Sequence, residues 1–133
     1  MQYDEFVGEV QHRARLASSD EAVRAIRSTL GVFGQRLHGG EAGNLASQLP
    51  EEIAEYLPET GGGESFSMQE FLEKVADEEG VDLPVSVHHT RAVLSVLQDA
   101  VSPGELDDMK DQLPGDWKGL FEAGSEGDLK EEG

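Results

Sequence analysis

The hydrophobic positions of the chain follow a helical period that occurs twice. In its first occurrence the apolar residues are spaced three and four apart, as on one face of an α-helix: Val23, Ile26, Leu30, Phe33 and Leu37. A stripe with the same spacing follows 64 residues later: Val87, Thr90, Leu94, Leu97 and Val101. Each stripe predicts a long amphipathic helix.

The segments that follow the two stripes match at the same distance. Both contain a Gly-Glu pair, a Gln-Leu-Pro triplet and a closing apolar group. The pairs and triplets are Gly40-Glu41 with 48–50, and Gly104-Glu105 with 112–114. The sequence therefore predicts an all-α fold of two tandem four-helix repeats, packed as a single helical bundle around a pseudo-twofold axis.

Composition along the chain predicts where these units begin and end. Residues 1–58 form repeat 1 and residues 67–122 form repeat 2. A Gly-rich linker covers 59–66, where Gly61–Gly63 predict flexibility, and a disordered acidic tail covers 123–133. Within repeat 1 we predict helices over 3–16, about 19–38 and 41–48, with a fourth starting at Pro50.

Capping patterns support two of the predicted helix starts. Ser18 is followed three residues later by Glu21, and Ser67 by Glu70, the spacing of a capping box. In repeat 2 we assign Pro84 to the loop before the long helix. That helix has a wider apolar face than its counterpart, so we predict that it is the more buried of the two.

Charge is the strongest feature of the composition. The chain has 28 acidic and 10 basic residues, a formal net charge of −18, and only four lysines. In molar salt the Debye length falls to about 3 Å, so self-repulsion of such a chain largely disappears. We therefore predict a halophilic, archaeal protein; the alternative is an acidic mesophilic protein with a disordered tail.

The composition also bears on compartment and partners. There are no cysteines, and no apolar run approaches the length of about 20 residues that a membrane span needs. We predict a soluble, cytoplasmic protein without a secretory signal. Because the negative charge of the chain opposes phosphates, we expect no nucleic-acid partner. We also expect no membrane partner. We expect an unknown protein as the partner and a monomer or weak homodimer as the oligomeric state.

Several motifs resemble one known family. They are Tyr3-Asp-Glu-Phe6-Val, Leu37-His-Gly-Gly-Glu41-Ala and 48–52 in the first half, and 71–76, His89-Thr-Arg91 and 112–114 in the second. In this order they resemble the domain of unknown function 2267 family over roughly residues 3–121. The resemblance implies a small all-helical prokaryotic protein, often with the unit duplicated, and it carries over no activity, cofactor or catalytic residue.

Few residues point to chemistry. His88 and His89 are the best candidates for a metal or acid–base site, but neighbours on a helix point about 100° apart and cannot share one ion unaided. Carboxylate pairs such as Glu78-Glu79 lack the ligand spacing of a calcium loop, so we predict that they are solvated surface. We predict no catalytic residues, no cofactor and no metal.

One polar site between the repeats is predicted. Its members are Arg27, Arg91, His89, Glu41 and Glu105, and the two arginines occupy matching positions in the long helices. One interpretation is an ion pair from each arginine to a glutamate, fixing the long helix to the next one. The other is an anion-binding pair of arginines near the pseudo-twofold axis.

Two functional hypotheses follow. The first is a non-enzymatic protein-interaction or regulatory module adapted to high salt, with Tyr56, Trp117 and Phe121 as aromatics available for contact. The alternative is a small-ligand or anion-binding protein that uses the cleft between the repeats. A polar cleft between the repeats would favour the alternative, and an apolar seam with exposed aromatics would favour the first.

Overall fold

A computed structural model describes residues 1–58 and 62–121, and all the regular secondary structure of these residues is helical. Seven α-helices are followed by one 3₁₀ helix, η1. Their bounds are α1 Tyr3–Ala14, α2 Ser19–Arg36, α3 Gly39–Ala46, α4 Glu51–Ala54, α5 Met68–Glu79, α6 Leu83–Ala100, α7 Pro103–Asp111 and η1 Gly115–Trp117. The all-α prediction is confirmed. We call residues 1–58 the first half and 62–121 the second half.

The first two helices of each half have the same lengths. α1 and α5 contain 12 residues each, and α2 and α6 contain 18 each. The start of α5 is a full capping box, because the Ser67 hydroxyl accepts from the Glu70 N–H (3.1 Å) and the Glu70 carboxylate accepts from the Ser67 N–H (2.8 Å). At the start of α2, the Ser18 hydroxyl accepts from the Glu21 N–H at 3.2 Å.

Several predicted bounds need correction. α1 ends at Ala14, before the predicted residue 16, because Arg15 adopts the left-handed conformation. α2 ends at Arg36, since Leu37 is extended (φ −80°, ψ 152°), and Pro50 is the N-cap of α4. Pro84 lies inside the first turn of α6, where a residue without an N–H leaves no intrahelical bond unmade.

The core is formed where the two halves meet. α2 packs against α5 and α6, and α1 packs against α6. Each long helix buries nine of its 18 residues, so the prediction that α6 is more buried than α2 is wrong. Phe71 joins the two halves, because its ring centroid lies 6.0 Å from that of Phe33 and 4.9 Å from that of Trp117.

The aromatic residues considered for partner contact belong mainly to this core. Trp117 is 1% exposed and Phe121 is 0% exposed, while Tyr56 is half-buried against the core. Burying a side chain of this size stabilises the fold by about 1.5–3 kcal/mol, which accounts for these residues without a partner.

The described part of the predicted linker is hydrogen-bonded to the end of α2. The Gly63 N–H donates to the Leu37 carbonyl at 2.7 Å, and the Arg36 Nε donates to the Phe66 carbonyl at 3.0 Å. Gly63 has φ +74°, and a Cβ there would lie 3.3 Å from the His38 ring. Residues 59–61 of the predicted linker, residue 122 and the predicted tail 123–133 lie outside the described residues.

Within residues 1–58 and 62–121, none of the helices combines the length and the apolar composition that a membrane span requires.

Candidate functional site

A carboxyl–imidazole pair is buried where α5 meets α6. Nδ1 of His89 lies 2.5 Å from Oε2 of Glu79, and the two side chains are only 10% and 3% exposed. Glu79 is the last residue of α5, so its charge stands at the negative end of the helix dipole. Its described hydrogen bond is the one to His89.

The first half packs the matching positions without polar groups. When α1 is aligned with α5 and α2 with α6, Ala14 corresponds to Glu79 and Ala25 corresponds to His89. Both alanines are buried, at 3% and 0% exposure. Because a buried ionisable pair often stabilises no better than apolar residues in its place, the helix packing alone gives no reason for Glu79 and His89.

Glu79 also has an oxygen without a partner. Oε2 is bonded to His89, whereas Oε1 is buried and makes no hydrogen bond among the described residues. A buried carboxylate oxygen without a donor costs about 1–3 kcal/mol or more. Oε1 is therefore a hydrogen-bond acceptor that the described residues leave unsatisfied.

A cleft beside this pair is lined by both halves of the molecule. Its volume is about 190 Å³. Its lining residues are Leu16, Glu21 and Arg24 from the first half, and Glu79, Val81 and His89 from the second. At about 30 Å³ per water molecule, this is room for roughly six waters or one small organic molecule.

The two adjacent histidines contact different partners. Nε2 of His88 lies 3.1 Å from the Ala14 carbonyl oxygen, while His89 bonds Glu79. Their ring centroids are 5.9 Å apart. His88 thus joins α6 to the end of α1, and only His89 lines the cleft. The described residues hold no cluster of three or more His, Asp or Glu side chains arranged around a common metal position.

Two other members of the predicted polar site meet at a second place. Glu41 and Glu105 are 9% and 7% exposed, and their carboxyl groups are within hydrogen-bonding reach of each other. Burial raises the pKa of Glu105 from 4.5 to about 7, helped by the hydrogen bond and charge of Glu41 and by the charge of Asp108. Nε2 of Gln112 donates to Oε1 of Glu41 at 3.2 Å.

The predicted arginine–glutamate pairs do not form among the described residues. Arg27 is exposed, and Arg91 is half-buried with an Nε that is buried without a hydrogen-bond partner. The described ion pairs join other residues, Arg13 to Glu9 and Arg13 to Asp99, and His89 is hydrogen-bonded to Glu79. The raised pKa of Glu105 explains how two carboxyl groups lie together without a cation, because one proton shared between them removes one of the charges.

Sequence reasoning missed Glu79, Glu21 and Arg24. The prediction that Glu78-Glu79 is solvated surface holds for Glu78, which is exposed, and is wrong for Glu79. The sequence did contain a signal for Glu79. When the helices of the two halves are aligned, a position on the buried face has a small apolar residue in one half and a charged residue in the other. Helix packing does not explain the charged residue at such a position.

The family comparison covers both of these places. The family described as "Uncharacterized conserved protein (DUF2267)" matches residues 3–120. The chain belongs to this family. The matched range of the DUF2267 chain contains every helix described above and all the residues of the cleft and of the carboxyl pair. No curated protein matches the chain.

Proposed function

We propose that this DUF2267 protein is a non-enzymatic binding protein for a small cationic molecule, held in the cleft beside Glu79 and His89. One observation carries the proposal. The second half buries an ionisable pair, with an oxygen that has no partner among the described residues, beside a cleft, whereas the first half has two buried alanines at the matching positions. This keeps the small-ligand hypothesis and its residue His89, and replaces Arg27 and Arg91 by Glu79.

An organic amine fits the lining of the cleft. With Nδ1–H of His89 donated to Oε2 of Glu79, an ammonium group supplies the donor that Oε1 lacks. Glu21 adds a second carboxylate, and Arg24 is the only lining residue with a permanent positive charge. Leu16 and Val81 offer apolar surface to a short alkyl chain. A bound anion would instead face both carboxylates.

The absence of catalysis is part of the proposal. Among the described residues that line the cleft, none carries a hydroxyl, a thiol or an amine that would act as a nucleophile. A His–Glu pair also serves as a general base through Nε2 of the imidazole, but the described lining of this cleft offers no side-chain nucleophile for it to activate. We therefore assign the pair to recognition.

We also infer that the halves are tandem four-helix repeats related by a pseudo-twofold axis. The equal lengths of α1 and α5 and of α2 and α6 support this. So do two reciprocal hydrogen bonds: the Gln48 side chain accepts from the Ser102 N–H at 2.7 Å, and the Gln112 side chain accepts from the His38 N–H at 3.0 Å. The cleft then lies where the two repeats meet.

The test is titration with n-butylammonium, followed by amide chemical shifts and calorimetry. Its neutral and anionic counterparts, 1-butanol and butyrate, are the matched probes. We expect only the ammonium to shift residues around the cleft, and Glu79→Gln to weaken its binding at least about tenfold, because a hydrogen bond to a charged group contributes about 1.5–3 kcal/mol. Glu78→Gln, the exposed neighbour, removes the same charge and is expected to change affinity less than about twofold. Equal binding of 1-butanol, or preferred binding of butyrate, would overturn the proposal.

A double variant separates binding from folding. Glu79→Ala with His89→Ala gives the second half the residues that the first half packs at the matching positions. We expect it to fold with unchanged or higher stability and to lose ammonium binding. Unfolding of this variant would show that the pair is structural.

We further propose that the protein works in molar salt, as its charge of −18 predicts. Helical circular dichroism and hydrodynamic size, followed from dilute buffer to molar potassium chloride, test this. Folding that requires salt supports the halophilic assignment, and a compact stable fold in dilute buffer contradicts it.

A further inference from the structure

A second opening lies in the first half, between α3 and α4. It has a volume of about 430 Å³. Small side chains form its floor, those of Ala42, Ala46 and Ala54, and the carboxylates of Glu51 and Glu55 stand among its lining residues. Both glutamates are exposed. We call this opening the α3–α4 groove.

The second half has large and basic side chains where the groove has small and acidic ones. At a distance of 64 residues, Leu106, Lys110 and Lys118 match the three alanines. Gly115 and Gly119 match the two glutamates. Leu106 packs against the core, and Nζ of Lys110 lies 5.4 Å from the centre of the Phe121 ring. The second half therefore covers with its own leucine and lysine the surface that the first half leaves open.

We propose that the α3–α4 groove is a docking surface for a basic helical segment of a partner protein, which inserts a leucine and, four residues on, a lysine. The alanine floor accommodates the leucine and the aliphatic part of the lysine, and Glu51 and Glu55 receive the ammonium. This is the pair that α7 itself presents, at the i, i+4 spacing that places two side chains on one face of a helix.

The negative charge around the α3–α4 groove favours a basic partner over a second copy of this chain. Residues 39–58 contain four glutamates and neither lysine nor arginine. A second copy of this chain is a poor occupant, because it also has a net charge of −18 and its own Leu106 is already packed against its core. A basic partner lowers the repulsion that a second acidic copy would raise.

Two peptides supply the probe. The first is an acetylated and amidated (Leu-Ala-Ala-Ala-Lys)₃ with a fluorescent label, and the second replaces each lysine by glutamate. Fluorescence anisotropy, at the lowest salt concentration at which circular dichroism shows the chain folded, should show binding of the lysine peptide alone. Glu51→Gln with Glu55→Gln should weaken it by about fivefold, as expected for two partly screened pairs. Glu52→Gln removes an exposed charge of the same turn that does not line the groove, and should leave the affinity unchanged.

Filling the groove tests its location. Ala42→Leu with Ala46→Lys installs the residues that the second half accommodates at the matching positions, and should abolish peptide binding. Ala46→Lys alone is the safer variant, because Ala46 is half-buried whereas Ala42 is 6% exposed. Circular dichroism verifies the fold of each.

The proposal is overturned if neither peptide binds, if the glutamate peptide binds equally, or if the groove-filled variants bind as the natural chain does. It is also overturned if sedimentation shows a dimer of the natural chain that Ala46→Lys dissociates, since the occupant would then be a second copy. Glu79→Gln should not change the affinity for the peptide, so the test of this docking surface is independent of the test of the amine site.

Discussion

The two halves of this DUF2267 protein share a framework and differ in a few side chains. They agree in the lengths of their first two helices and in the glutamate pair and glutamine pair at their junction. They differ at Ala14 and Ala25, whose counterparts in the second half are Glu79 and His89, and at the alanines that line the α3–α4 groove, whose counterparts are Leu106 and two lysines. Where both halves keep a residue, a contact within the framework explains it. Where one half has alanine, packing does not explain the larger residue at the matching position of the other half.

The largest loss of stability should follow a substitution in the aromatic core. Phe6 and Phe71 match at a distance of 65 residues, and both are 0% exposed, but of the two Phe71 is the one that takes part in described aromatic pairs, with Phe33 and Trp117. Phe71→Ala should lower the free energy of unfolding by about 3–5 kcal/mol. Phe6→Ala should cost about 1 kcal/mol less, because aromatic pairing contributes about 0.5–1.5 kcal/mol beyond burial.

Urea denaturation followed by circular dichroism measures both, with Phe71→Leu as a milder control. An equal or larger loss for Phe6→Ala would show that the aromatic pairs of Phe71 add nothing to its burial.

The carboxyl pair should make stability depend on pH. Because the folded-state pKa of Glu105 is about 7 and its ordinary value is 4.5, between these values the folded state holds a proton that the unfolded chain has released. The contribution of Glu105 therefore lowers stability as pH rises through this window, by about 2–3 kcal/mol. Glu105→Gln should be close to neutral at pH 4.5 and stabilising at pH 8.

Urea denaturation at both pH values measures this difference, and Asp107→Asn, an exposed neighbour, is the control. If Glu105→Gln shifts stability by the same amount at both pH values, the carboxyl groups do not share a proton.

The two junction glutamines should differ in their effect. Gln112 accepts from the His38 N–H and donates to Glu41, whereas Gln48 has the single described bond from the Ser102 N–H. Gln112→Ala should cost about 2 kcal/mol, since it also leaves a buried carboxyl without its donor, and Gln48→Ala about 1 kcal/mol. Thermal unfolding of both variants gives the order, and a greater loss for Gln48→Ala would contradict the hydrogen-bond assignment.

The smallest effect concerns the ends of α1 and α5. Arg15 (φ 57°) and Gly80 (φ 79°) both take the left-handed conformation, which costs a residue with a side chain about 1–2 kcal/mol. Allowing for the greater freedom of glycine in the unfolded chain, Arg15→Gly should stabilise by about 0.5–1 kcal/mol, and Gly80→Ala should destabilise by a similar amount.

Calorimetric melting temperatures of Arg15→Gly and Gly80→Ala measure these effects. Arg24→Gly, inside α2, is the control and should lower stability by about 1 kcal/mol. A destabilising Arg15→Gly would mean that the arginine side chain matters more than its backbone.

Local chemistry made much of this fold predictable. Ser18 and Ser67 mark helix starts because their hydroxyls accept from an N–H three residues on, which is a property of neighbouring residues. Pro84 was misassigned because proline suits both a loop and a first helical turn.

The sites were harder to predict, because they depend on partners distant in sequence. Glu79 follows Glu78, and composition does not distinguish the buried one from the exposed one. Glu41 and Glu105 were assigned arginine partners by their order in the chain, while in space each faces the other. Residues 62–66 read as a flexible connection until their hydrogen bonds to the end of α2 are seen.

The reciprocal glutamine bonds have a consequence for how such a chain arises. Gln48 reaches the first turn of α7, and Gln112 reaches the first turn of α3, so each half supplies both the donor and the acceptor of the same contact. If the halves are the tandem repeats proposed above, a single unit with these groups is complementary to itself, which is the condition for a symmetric homodimer. Joining two units in one polypeptide holds them at an effective concentration in the millimolar range, so that each half becomes free to change without losing its partner.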